Sequence, residues 1–86
     1  MPVISVFFGI MIRMYHADHA PPHFHAMYGD HDAIVEIVSG RIIAGHLPPR
    51  VRSLVEEWRR KRVSELKRAW QDAQNLKAPR RIKPLE

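Results

Sequence analysis

Nine residues, Asp18-His19-Ala20-Pro21-Pro22-His23-Phe24-His25-Ala26, hold three of the chain's six histidines together with an aspartate. On an extended backbone His23 and His25, two positions apart, project from the same face. Asp18 and His19 lie in the loop just before them, with His16 close by. Imidazole and carboxylate are the donors that zinc, iron, nickel and manganese accept, and a centre built from them alone keeps a position for water. Asp18, His19, His23 and His25 are therefore the candidate ligands of a divalent metal, in a centre suited to metal-assisted hydrolysis. The same His23 and His25 are also the candidate catalytic residues of a metal-free ribonuclease. One imidazole would take the 2′-hydroxyl proton while the other gives a proton to the leaving oxygen. A purely structural role stands beside both, because histidines next to prolines often bond the loop backbone or cap strand ends. With no cysteine in the chain, thiolate zinc sites and disulfide frameworks are excluded.

A second constellation is basic. The net charge of +5 is unevenly spread: residues 1–46 carry two basic and four acidic side chains, and residues 47–86 carry twelve and five. Arg59-Arg60-Lys61-Arg62, with Lys67 and Arg68, is the candidate nucleic-acid-binding face, extended by Arg50 and Arg52. The competing explanation is that these side chains only solvate a helix. Phe24, Tyr15 and Tyr28 could stack on bases, but core packing accounts for them more simply.

The elements that must position these residues follow from periodicity. From Ile4 to Met14 every even position is apolar, which marks a strand whose even face is core. Gly9 inside it predicts either one kinked strand or two short ones. His16 to Pro22 reads as a loop, stiffened by the double proline. His23 to Tyr28 alternates again, Gly29-Asp30-His31 is a tight turn, and Asp32 to Val38 forms the next strand. Ser39-Gly40 closes a hairpin onto Arg41 to His46.

Beyond Pro49, a residue suited to the first turn of a helix, two apolar stripes follow at helical spacing. They are Val51, Leu54, Val55, Trp58 and then Leu66, Ala69, Trp70, Ala73. One continuous helix of about 27 residues would run roughly 40 Å, too long for a domain of this size. A break is therefore expected near Lys61 to Ser64. The pattern predicts an α+β fold: an antiparallel meander of three to four strands, followed by two amphipathic helices or one bent helix packed on one face. Residues 1–76 form a single α+β domain and residues 77–86 a basic C-terminal tail, which only Ile82 and Leu85 could dock. The apolar start carries no basic leader and is interrupted by Arg13, so a cytoplasmic protein with no membrane association is expected.

The motif Asp18-His19-x-Pro21-Pro22-His23-Phe24-His25-Ala26 also supports a resemblance. So do Pro2-x-Ile4-Ser5, Gly9-Ile10-x-Ile12-x-Met14-Tyr15, Tyr28-Gly29, Gly40, Leu47-Pro48, Trp58, Trp70 and Ile82-x-Pro84-Leu85. The chain resembles a family of small bacterial proteins known only as a domain of unknown function. Members are often encoded beside a second small domain of unknown function, an arrangement similar to a toxin–antitoxin pair. The resemblance implies a protein partner from the neighbouring gene and a candidate site at the motif, with no residue roles assigned.

Two hypotheses result. The leading one is a partner-binding component of such a two-gene system, contacting RNA or DNA through its basic half. The rival is a histidine-dependent hydrolase or ribonuclease, with or without a divalent metal. An open sheet edge adds the expectation of a homodimer.

Overall fold

The computed structural model describes residues 2–86. Five strands, β1 (Val3–Phe7), β2 (Ile10–Arg13), β3 (His23–Tyr28), β4 (His31–Glu36) and β5 (Ile42–Gly45), precede helices α1 (Pro49–Lys61) and α2 (Val63–Gln74). The strands form one antiparallel meander in sequence order. The α+β architecture is thus as expected, with five strands instead of three or four.

The extra strand comes from the first apolar stretch. Phe8 and Gly9 both adopt positive φ, +50° and +78°, and turn the chain back on itself. The stretch is therefore a hairpin, β1 pairing with β2, and not a single kinked strand. The even-face rule holds for Ile4, Ile10, Ile12 and Met14, all fully buried, but fails for Val6 and Phe8, which are exposed. A register shift between Val3 and Ser5 exchanges the two faces of β1, so that Ser5 and Phe7 point inward instead.

The buried face of the sheet presents Ile12, Phe24, Ala26, Ala33 and Val35 to the helices. Trp58 of α1 is fully buried between Phe7 and Phe24, with ring centroids 5.3 and 5.6 Å away. The opposite face, with Met11, Arg13, His25, Met27 and Ile34, is only half-buried. The helical break falls at Arg62 (φ −123°, ψ 18°), inside the expected segment.

The last residues are docked. Ile82 and Leu85 join the core, the Ile82 N–H donates to the Ile4 carbonyl at 2.7 Å, and Trp58 Nε1 donates to the Lys83 carbonyl at 2.9 Å. No helix among the described residues is long and apolar enough to cross a membrane.

Candidate functional site

β3 carries His23 and His25 on its less buried face, and the loop from Met14 to Pro22 folds back so that Asp18 meets them. Two contacts from the last turn of α2 hold that loop: the Ala17 N–H donates to the Ala73 carbonyl at 3.1 Å, and Gln74 Nε2 donates to the Asp18 carbonyl at 3.0 Å. Trp70 of the same helix packs against the His23 ring at 5.2 Å between centroids, and Tyr15 meets His25 edge-on at 4.4 Å. None of these helix contacts was legible locally, since more than forty residues separate the partners. The apolar stripe marks Trp70 as a core residue or a partner anchor, and its 7% exposure places it in the core.

The geometry around His23 fixes its chemistry. Its Nδ1 lies 2.8 Å from the Pro21 carbonyl and its Nε2 lies 2.9 Å from Asp18 Oδ2. A carbonyl oxygen can only accept, so Nδ1 carries a proton, and in the neutral ring Nε2 is then the lone-pair nitrogen facing a carboxylate. His25 Nε2 lies 3.5 Å from the same oxygen and is buried with no hydrogen-bond partner. Burial pushes the Asp18 carboxyl upward, but the His19 N–H and the two imidazoles more than offset it. Its pKa is held below the ordinary carboxylate value.

Asp18, His23 and His25 each offer one ligand atom, and these atoms lie within 4.8 Å of one another. Of the four expected metal ligands, His19 is not brought in. Its side chain is exposed, and only its backbone N–H takes part, donating to Asp18 Oδ1 at 2.8 Å. The reason is the loop: the residue following Asp18 faces outward when the aspartate turns in. His16 is likewise exposed.

The basic constellation divides. Arg59, expected on a phosphate-contacting face, is buried (6% exposed) and is committed inward. Its Nη1 donates to the carbonyls of Ile37 (2.9 Å) and Val38 (3.2 Å), while Nε and Nη2 fork onto the Glu56 carboxylate at 2.9 and 2.7 Å. The helical stripe explains the correction, since Arg59 follows Trp58 on the side of α1 that faces the β4–β5 loop. Arg60 and Lys61 are exposed and paired with Glu56 and Glu57, as the i, i+4 spacing predicts. Arg62 is half-buried against Glu65. Lys67 and Arg68 are exposed and have no acidic partner among the described residues.

Comparison with known proteins gives one positive result. The family described as "Domain of unknown function (DUF4160)" matches residues 9–71, a span that includes the Asp18–His23–His25 cluster, all of α1 and most of α2. No curated protein and no solved structure matches the chain.

Proposed function

The chain belongs to this family of domains of unknown function, and from that premise we propose that it is a metal-assisted hydrolase centred on Asp18, His23 and His25. The observation that carries the reading is the convergence of three bases. With Nδ1 of His23 donating to Pro21, two imidazole nitrogens and a carboxylate oxygen meet within 4.8 Å. Asp18 Oδ2 lies 2.9 Å from one of these nitrogens and 3.5 Å from the other, so one oxygen is shared by both imidazoles. A proton on His23 Nε2 serves only the edge between His23 and Asp18, whereas a divalent ion could be held by all three atoms.

The Nδ1–H···O=C bond to Pro21 is also the outer contact that usually orients a ligating histidine. Two imidazoles and one carboxylate leave coordination positions to water, whose pKa a bound zinc-like ion lowers toward neutrality. Arg13 is the cross-strand neighbour of His25 and has no carboxylate partner among the described residues, which supports an anionic substrate such as a phosphodiester.

The test is titration of purified, metal-free chain with zinc, nickel and manganese, following the imidazole signals by NMR. The reading expects stoichiometric binding that shifts His23 and His25 and leaves His16 and His19 in place, together with phosphodiester hydrolysis lost in Asp18→Asn. No binding, or binding that moves only the exposed histidines, would sink it.

A second reading is favoured by a different observation, the exposed and unpaired Lys67 and Arg68 on α2. In it the chain is a partner-binding component of a toxin–antitoxin-like two-gene system in the cytoplasm. It would pair with the neighbouring gene's protein and contact RNA or DNA through Arg60, Lys61, Lys67 and Arg68. Co-purification and gel shift at moderate salt test it, and absence of association in both would remove it.

A further inference from the structure

The two edges of the sheet are not equivalent. At β1 the C-terminal segment lies along the strand: besides the Ile82 bond to Ile4, Arg81 Nη1 reaches the Val3 carbonyl at 3.4 Å. β5 ends the sheet on the other side. Its residues Ile43, Ala44 and Gly45 are all exposed, and no segment of the described chain pairs with its outer edge. An uncovered edge strand is a template for another strand.

Beside β5 lies a groove of about 570 Å³, between the strand and α1. Ile42, Leu47 and Val55 supply apolar lining, and Arg52, Arg60 and Lys61 stand at its polar side. The two glutamates there are already engaged: Glu56 by Arg59 and Arg60, Glu57 by Lys61. Arg52 has no acidic partner among the described residues, and Glu56 meets two cations, so the groove is net positive.

We propose that β5 and this groove are the docking site of an acidic, apolar-alternating segment of a protein partner, which adds to the sheet as a sixth strand. One set of its side chains would enter the groove over Ile42, and its carboxylates would meet Arg52 and the cations beyond. Charge selects this occupant over a second copy of the chain. Pairing β5 with β5 would bring two positive grooves together in a protein whose net charge is already +5. The inference rests on the partner-binding reading above and is independent of whether the histidine cluster holds a metal.

The experiment uses the full chain and two labelled peptides, one alternating valine with glutamate and one alternating valine with lysine. Fluorescence anisotropy gives affinity, and backbone amide shifts give the site. The acidic peptide should bind with shifts concentrated in Ile42–Gly45, the lysine peptide should not bind, and salt should weaken the complex. Arg52→Glu should weaken binding at least tenfold, whereas Lys77→Glu, an exposed position beyond α2, should change it less than twofold.

Failure of the acidic peptide to bind, equal effects of the two substitutions, or concentration-dependent dimerisation through β5 in place of peptide binding would overturn the proposal. Protection of the same amides by single-stranded RNA and not by the peptide would do so as well. If the neighbouring gene's protein associates but shifts amides elsewhere, the partner reading survives and this assignment of its site falls.

Discussion

Two buried polar clusters tie loops to packed elements in this fold, and they differ in how completely their groups are satisfied. At Arg59 four donor contacts meet four acceptors: two carbonyls of the β4–β5 loop and both oxygens of Glu56. At Asp18 the hydrogen bonds reach His23 and stop, leaving His25 Nε2 buried, 3.5 Å from the same oxygen and without a hydrogen bond of its own. A buried polar group without a partner costs about 1–3 kcal/mol, so a complete cluster is accounted for by the fold it supports. An incomplete one is not. The difference teaches which cluster to regard as architecture and which as a binding site.

The comparison is broken most directly at its complete end. Arg59→Ala would leave the Ile37 and Val38 carbonyls without their donor and Glu56 with only the exposed Arg60. About 2–4 kcal/mol of stability should be lost in urea unfolding. Arg59→Lys should recover little, because a single ammonium cannot reproduce the fork onto a carboxylate. A cost below about 1 kcal/mol would show that the cluster is not architectural.

At the incomplete end the large effect should come from adding an ion. Zinc at one hundred times its dissociation constant stabilises a single-site protein by about 2.7 kcal/mol. In a domain of this size that is a rise of roughly 10–20 °C in Tm. Asp18→Asn and His25→Phe should abolish the rise, while Arg59→Ala, whatever its own cost, should keep it. A rise that survives both substitutions at the histidine cluster would place the zinc elsewhere.

The next effect in size tests how rigid the complete cluster is. Gly40 sits over it with φ +78°, and a Cβ there would lie 2.5 Å from both Arg59 Nε and Glu56 Oε1. Gly40→Ala should cost about 1–2 kcal/mol from backbone conformation alone, plus whatever displacing the guanidinium requires. In the Arg59→Ala background the guanidinium no longer has to move and only the Glu56 carboxylate does, so the two substitutions should be less than additive. Strict additivity would mean that the guanidinium yields freely.

The unequal legibility of the two clusters has physical causes. The histidine cluster is encoded within eight residues, by strand alternation and by prolines that fix the approach, so His23 and His25 could be placed on one face from spacing alone. Nearness in sequence brings in Asp18 and His19 alike, but a loop does not propagate a face from one residue to the next, and the His19 side chain lies exposed outside the cluster.

Arg59 belongs to a run of four cations; it stands four residues after Val55, on the margin of the apolar stripe, but what a guanidinium would meet there is not written locally. Its partners, Ile37 and Val38, lie more than twenty residues away and depend on how α1 crosses the sheet. The meander was legible because it is written in apolar periodicity, and the helical break because one unbroken helix would overshoot a domain of this size; for residues 77–86 the sequence offered only Ile82 and Leu85 as apolar side chains able to dock. The β1–β2 turn was half legible: Gly9 signalled it, but Phe8 at positive φ, a conformation costly for a bulky residue, did not.

Acid sharpens the comparison in a smaller way. Hydrogen bonding from Arg59, opposed by burial and helped by Arg60, holds the Glu56 carboxyl below its ordinary 4.5. A carboxyl with a depressed folded pKa contributes stability that is fully present above its unfolded value and is lost as pH falls through the folded one. Below about pH 4.5 the wild type should therefore lose stability faster than Glu56→Gln. Parallel curves from pH 6 to 3 would show that the forked pair is no stronger than an exposed one.

The smallest expected effect is the most discriminating. In metal-free protein His25→Phe replaces a buried, unpartnered nitrogen with apolar atoms of similar shape, keeps the edge contact with Tyr15, and breaks no hydrogen bond. Such a replacement should be neutral to within about 1 kcal/mol, or slightly stabilising. A neutral result, combined with loss of the zinc effect, would mean that His25 is held unsatisfied at some cost to the fold, as a ligand position requires. If His25→Phe instead cost more than about 2 kcal/mol, the imidazole would already be fully engaged without metal. The two clusters would then be alike, and the reading of Asp18, His23 and His25 as a metal centre would lose the asymmetry on which it stands.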